Sequence, residues 1–231
     1  MLYPLGGIPV QQFDLTCVVS PTSRLDHHSD TALLSTEMLV ANNAAEVIKF
    51  PFLVLNTDSG SGAADAASVE PKLVNGSRPV TVEEVDQKEA ARLAEERASA
   101  LGADAELRAK TRHWVEQALA KAERIRIGRT TIKPGESRRI VSQQRLRIQP
   151  DAQGNLQFLT IAPSPLFTVL TRGRVSAYVL LPFEDGDVRI TVVPELTEQG
   201  FGYELSRVKQ RQVASWFWQN DPILKIGYRY S

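Results

Sequence analysis

The first quarter of the chain alternates short apolar runs with polar breaks. Apolar runs occupy residues 13–19, 32–40 and 47–55, and the segments between them are rich in Ser, Pro, Asp and Asn. These residue types favour turns, because their side chains bond to nearby backbone groups or restrict the backbone dihedrals. The pattern predicts three β-strands joined by turns.

A helical pattern occupies residues 80–124. Thr81 and Glu84 have the spacing of a capping box, in which each side chain bonds to a free backbone amide at the start of a helix. Apolar residues then recur every three or four positions, Gly102 interrupts them, and Asp104 can cap a second helix. The spacing predicts an inserted α-helical hairpin.

The stretch 58–79, before this hairpin, has a different composition. It is rich in Gly, Ser, Ala and Asp and contains the sequence Ser59-Gly60-Ser61-Gly62. Such a segment offers little apolar surface for burial. We therefore expect a flexible linker over 58–79.

After residue 122 the hydrophobic period changes from that of a helix to that of a strand. Turn sequences such as Pro134-Gly135 and Asp185-Gly186 separate the apolar runs that follow. The predicted strands are 138–148, 156–161, 167–170, 175–181, 188–193, 203–208, 213–218 and 223–230. Many short strands at this spacing are typical of antiparallel sandwiches and barrels.

The first three strands decide the domain organisation, because three strands alone bury little apolar surface and need a partner layer. We predict a mainly β fold: one antiparallel β-sandwich over residues 1–231, with the first strands paired into the later sheet and the helical hairpin inserted. Two domains, 1–127 and 128–231, are the alternative. The architecture is similar, by analogy of strand number and turns, to immunoglobulin-like sandwiches, although their Cys and Trp spacing is absent.

Charge is divided unevenly along the chain. Residues 1–122 hold 17 acidic and 11 basic side chains, or 11 − 17 = −6, and residues 123–231 hold 10 and 16, or +6. Basic residues alternate along predicted strands, as Arg145 with Arg147 and Arg172 with Arg174 do, and so share one strand face. If these strands are neighbours, they form a surface for an anionic ligand: nucleic acid, a phospholipid head group or an acidic partner. The simpler interpretation is a solvated outer face.

Aromatic residues gather near the end of the chain. Trp216 and Trp218 share one face of a predicted strand, and Tyr228 and Tyr230 share one face of the next. The turn at Asn220-Asp221-Pro222 can pair the two strands as a hairpin, in which each cross-strand aromatic pair adds up to about 1 kcal/mol. The alternative is a recognition patch, since Trp and Tyr dominate contact surfaces.

One short segment resembles a metal or acid–base cluster. Asp26, His27, His28 and Asp30 bring two imidazoles and two carboxylates into five residues. Adjacent side chains of an extended chain point to opposite sides, so the two histidines do not readily share one ion. We favour a polar turn and keep these four residues as weak metal candidates.

Other chemistry has little support in the sequence. Cys17 lies in a predicted strand among apolar residues, where a thiol behaves as a small apolar side chain. The nucleophile elbow of serine hydrolases is absent. Glu184, Asp185 and Asp187 crowd one predicted turn, where we expect well-hydrated carboxylates.

These observations favour a non-catalytic protein without a cofactor. No apolar run is long enough for a transmembrane helix, and the start lacks the pattern of a secretory signal. A single cysteine fits a reducing compartment, so we expect a cytoplasmic protein. The first hypothesis is protein–protein interaction or self-assembly into a homo-oligomer. Anion or polyanion binding through the Arg-bearing strands is the alternative, and a hydrolase or metal enzyme at residues 26–30 ranks last.

Overall fold

The protein forms a mainly β fold of three sheets with two α-helices. The computed structural model describes residues 2–5, 10–24, 29–57, 72–75, 78–100, 102, 104–120, 122–150, 157–161, 174–186, 188–193, 203–218 and 224–231. In chain order, the strands are β1 (Leu2–Pro4), β2 (Val10–Ser20), β3 (Thr31–Ala41), β4 (Ile48–Thr57), β5 (Lys72–Asn75), β6 (Arg78–Pro79), β7 (Val82–Glu84), β8 (Ala122–Ile132), β9 (Ser137–Arg147), β10 (Gln149–Pro150), β11 (Gln157–Ile161), β12 (Arg174–Phe183), β13 (Ile190–Val193), β14 (Glu204–Val208), β15 (Arg211–Trp218) and β16 (Leu224–Tyr230). The helices are α1 (Gln87–Ala100) and α2 (Ala105–Ala120).

The largest sheet has eight strands in the order β14-β15-β12-β2-β3-β9-β5-β6. The hairpin β2–β3 lies between β12 and β9, so the first strands pair into the later ones as the sequence predicts. The expectation of purely antiparallel sheets was wrong, because β2 and β12 run parallel. A parallel pair needs a long crossover connection, and the long chain between these strands supplies one.

Two smaller sheets of four strands have the orders β1-β4-β8-β7 and β10-β11-β16-β13. Both are antiparallel throughout. In the first, Phe52 of β4 pairs with Gly128 of β8, and a Cβ atom on Gly128 would lie 2.3 Å from Cζ of Phe52. The absence of that atom leaves room for the buried ring between the strands.

The core is one continuous hydrophobic cluster. Strands of all three sheets and both helices contribute buried residues to it. On β2 the cluster takes every second residue: Phe13, Leu15, Cys17 and Val19. This alternation follows from the period of two that places successive strand side chains on opposite faces. The alternation along β2 therefore marks the face that this strand buries.

The helices begin later than the capping box predicted. Residues 82–84 form β7 and pair with β8, so the helical part covers 87–120 rather than 80–124. Asp86 caps α1: its Oδ1 accepts the Glu89 amide at 2.7 Å. The two helices meet, with Gln87 donating to the carbonyl of Leu119 at 3.2 Å. Neither is long and apolar enough to cross a bilayer.

The predicted linker 58–79 is also partly wrong. Residues 72–75 form β5, which pairs with β9, and residues 78–79 form β6. The edge of the large sheet provides hydrogen-bond partners that composition alone does not reveal. The remainder of the linker, 58–71, and the strand predicted at 167–170 lie outside the described residues.

Candidate functional site

A polar cavity of about 650 Å³ lies where the large sheet meets the sheet of β13 and β16. The segment 184–191, which links β12 to β13, forms one wall, and the turn between β14 and β15 contributes to another. The polar residues that line it include Glu184, Asp185, Arg189, Arg207, Gln210 and Gln212. We call this space the Glu184 cavity.

Glu184 lines this cavity, is buried and joins three segments. Its Oε1 accepts the backbone amide of Ile190 at 2.9 Å and Nε2 of Gln212 at 3.1 Å. Its Oε2 accepts Nη2 of Arg207 at 2.5 Å. A buried carboxylate is costly unless such donors satisfy it. The network therefore fixes the segment 184–191 against β14 and β15.

Backbone hydrogen bonds hold the same segment at both ends. The amide of Glu184 donates to the carbonyl of Gln210 at 2.8 Å, and the amide of Ser231 donates to the carbonyl of Arg189 at 3.0 Å. Between these points, the amide of Val188 donates to the carbonyl of Asp185 at 2.6 Å. Gly186 adopts a φ of +35°, which glycine reaches without a side-chain clash. These bonds tie Glu184 to the turn before β15 and Arg189 to the residue after β16.

The cavity offers hydrogen-bonding and ionic chemistry. Two guanidinium groups, Arg189 and Arg207, and two side-chain amides line it. Arginine is suited to planar carboxylate and phosphate groups because its donors form a fork. Within the described part of the chain, no group of three or more His, Cys, Asp and Glu residues could hold a metal ion.

The predicted aromatic hairpin is wrong. β15 belongs to the large sheet, whereas β16 pairs with β11 and β13, so Trp216 does not face the tyrosines across a strand pair. Trp216 is buried and packs on Tyr203, with ring centroids 5.4 Å apart. The side chain of Trp218 lies outside the described residues. Trp216 therefore belongs to the hydrophobic core, and a recognition patch at Trp218 stays a prediction.

Tyr228 and Tyr230 form hydrogen bonds within the protein, to the buried side chain of Asp30. Both hydroxyls donate to Oδ2 of Asp30 at 2.6 Å, while the amide and hydroxyl of Ser23 donate to Oδ1 at 2.9 and 2.5 Å. Asp30 is fully buried, and these neutral donors from the described residues stabilise its side chain. Burial, with the neighbouring Asp30 charge, raises the pKa of Tyr228 far above its usual range.

The other metal candidates cannot be placed beside this carboxylate. Asp26, His27 and His28 lie outside the described residues. The Asp30 carboxylate connects a turn after β2 to β16, so it acts as a structural link between two sheets. The polar turn predicted for residues 26–30 lies mostly outside the described residues and stays a prediction.

The Arg-bearing strands are not neighbours. Arg145 and Arg147 lie on β9, and Arg174 begins β12, with β2 and β3 between these two strands. Arg172 lies outside the described residues. Arg145 and Arg174 are exposed, as expected for a solvated face. The condition for the proposed basic surface is therefore not met by β9 and β12.

Sequence reasoning missed the Glu184 cavity. The acidic turn was expected to be well hydrated, whereas Glu184 is buried. Its partners Arg207 and Gln212 are 23 and 28 residues away along the chain. The sequence does contain one signal for this burial. Glu184 directly follows the apolar strand β12, so its backbone lies next to the core.

Comparisons with known proteins support the fold and nothing finer. No family model matches the chain, and no curated protein does. A crystal structure from Legionella pneumophila subsp. pneumophila str. Philadelphia 1, named a "putative nutrient binding protein", is similar with a TM-score of 0.64. The similarity covers 99% of this chain and 70% of that chain at 8% sequence identity. At that identity, a shared fold does not fix function.

Proposed function

We propose that the protein is a non-catalytic binding protein whose Glu184 cavity holds a small solute with an anionic group. The observation that carries the proposal is Arg189, an exposed guanidinium that lines the cavity together with the amide side chains of Gln210 and Gln212. Ligand sites are commonly preformed concave spaces with a few fixed polar groups. The name of the Legionella structure, nutrient binding, is compatible with a small solute.

The first test is a titration with propionate and with inorganic phosphate, followed by calorimetry and by NMR of the backbone amides. We expect saturable binding, with shifts at residues 184–191. An Arg189→Gln variant should bind about threefold to tenfold more weakly, because the lost contact is ionic and solvent-accessible. Arg145→Gln, which removes an exposed arginine of β9, is the matched control and should bind normally.

The proposal fails if neither probe binds at the cavity, or if Arg189→Gln and Arg145→Gln bind as tightly as the wild-type protein. Anion binding lost only in Arg145→Gln would transfer the site to β9 and restore the original hypothesis of a strand-borne surface.

A second candidate function, protein interaction or self-assembly, is favoured by β14. This strand forms one edge of the large sheet and pairs only with β15 among the described strands. All its residues are exposed, with Leu205 at 50% and Val208 at 58%. An edge strand with exposed apolar residues can pair with another chain through its free backbone groups.

Light scattering after size exclusion tests this second candidate. If β14 mediates self-association, the wild-type protein elutes as a defined oligomer and Leu205→Lys elutes as a monomer, because the new charge lies on the pairing edge. Leu33→Lys, at an exposed position of β3, is the control and should leave the oligomer intact. A monomeric wild-type protein contradicts self-assembly through β14.

We also propose the finer architecture and location: a single sandwich-like domain, with the two helices as its inserted hairpin, in the cytoplasm. The single core cluster shared by all sheets supports one domain. The location is supported only by Cys17, the one cysteine of the chain, which is buried.

A further inference from the structure

The two arginines of the Glu184 cavity differ in their availability. The exposed guanidinium of Arg207 donates to Glu184, which already balances its charge. Arg189 also lines the cavity and is exposed, and its guanidinium makes no hydrogen bond or ion pair with the residues that the structure describes. Arg189 is therefore the cation that can bind an anionic ligand group without losing an existing partner.

Asp185 carries the opposite charge to Arg189 and is equally accessible to a ligand. It lines the same cavity, is exposed, and its carboxylate has no hydrogen-bond or ion-pair partner within the described part of the chain. The network around Glu184 and the bond from Val188 to the Asp185 carbonyl hold both residues on one short turn. Among the described residues of this turn, the exposed carboxylate of Asp185 and the exposed guanidinium of Arg189 both line the cavity, and they do not pair with each other.

We propose that the ligand is a small zwitterion, whose carboxylate binds Arg189 and whose ammonium group binds Asp185. An α-amino acid is the simplest molecule of this class. Fixed opposite charges select a ligand of complementary charge pattern, since a ligand with one charge leaves the other site unused. This inference rests on the proposed function and adds the chemical class of the solute.

The test compares three probes of similar size. Alanine carries both charges, propionate carries only the negative charge, and ethylammonium carries only the positive charge. Binding is measured by calorimetry in the wild-type protein, Asp185→Asn and Arg189→Gln. We expect alanine to bind about threefold to tenfold more tightly than propionate in the wild type. Asp185→Asn should remove this difference, while Arg189→Gln should weaken both. Asp104→Asn, at the start of α2, controls for the change in net charge.

The outcomes separate the two proposals. If propionate binds through Arg189 but alanine binds no better, and Asp185→Asn has no effect, the zwitterion inference is wrong and the anion site stands. If none of the three probes binds at the cavity, the proposed function is wrong as well. Tighter binding of ethylammonium than of alanine would make Asp185 the dominant site and overturn both proposals.

Discussion

Two buried carboxylates, Asp30 and Glu184, connect different parts of the protein by different means. Among the described residues, the donors to Asp30 are neutral groups of Ser23, Tyr228 and Tyr230. Glu184 accepts neutral donors and one guanidinium, that of Arg207. A hydrogen bond to a charged group contributes more than one between neutral groups. Single hydroxyls at Asp30 should therefore have measurable effects on stability.

Removing either tyrosine hydroxyl should destabilise the protein. We expect Tyr228→Phe and Tyr230→Phe each to lower the free energy of unfolding by about 1.5–3 kcal/mol, because each deletes a bond to a buried charge. Urea unfolding measures the change. Tyr178→Phe is the control, since that ring packs edge-on against Phe217 and its hydroxyl has no hydrogen bond to the described residues. If all three variants lose the same free energy of unfolding, the hydrogen bonds to Asp30 do not stabilise the protein.

Cys17 makes the free energy of unfolding depend on pH in the alkaline range. Burial raises the pKa of its thiol from 9.0 to about 12. Between these values the unfolded chain loses a proton that the folded protein keeps, so the free energy of unfolding falls as pH rises. By pH 10 the loss should reach about 1 kcal/mol.

The comparison with Cys17→Ala isolates this effect. The variant lacks the thiol, so its destabilisation relative to wild type should shrink by about 1 kcal/mol between pH 8 and pH 10. Leu15→Ala, on the same buried face of β2, has no titrating group, and its cost should stay constant. Urea unfolding at both pH values measures the two differences. A constant cost for Cys17→Ala would contradict the raised pKa.

At the scale of the element, periodicity predicted what a segment forms better than where it pairs. Apolar runs between turn-forming segments identified β2 and β3, and the change of hydrophobic period after residue 122 identified β9 and β12. Their order in the sheet, and the parallel pairing of β2 with β12, depend on contacts between distant parts of the chain. The Glu184 cavity has the same origin, since its walls come from separate elements.

The start of α1 shows how a distant contact overrides a local signal. Thr81 and Glu84 match the capping box, yet residues 82–84 pair with β8, and Glu84 forms an ion pair with Arg124. Asp86→Ala should therefore lower the free energy of unfolding by about 0.5–2 kcal/mol, through loss of the cap. Thr81→Ala should be nearly neutral. Thermal unfolding followed by circular dichroism distinguishes them, and the reverse order would favour the capping box.

For the whole molecule, the uneven charge along the chain is compensated across it. Glu37 pairs with Arg139, Glu83 with Arg129, and Glu84 with Arg124. Each pair joins an acidic residue of the first half to a basic residue of the second. Exposed pairs add little individually, at most about 1 kcal/mol each. They nevertheless leave fewer unpaired arginines for a polyanion than the sequence suggests.

The shared core leads to a prediction about cooperativity. Buried residues of the sheet of β4 and β8, of the large sheet and of the sheet of β16 belong to one cluster, so loss of one layer exposes the others. We expect a single unfolding transition in urea, with the same midpoint by tryptophan fluorescence and by circular dichroism. Leu55→Ala on β4 should cost about 2–5 kcal/mol and shift both midpoints equally. Two transitions, with only one moved by Leu55→Ala, would instead support separate domains at 1–127 and 128–231, because a variant in an independent unit leaves the other unit unchanged.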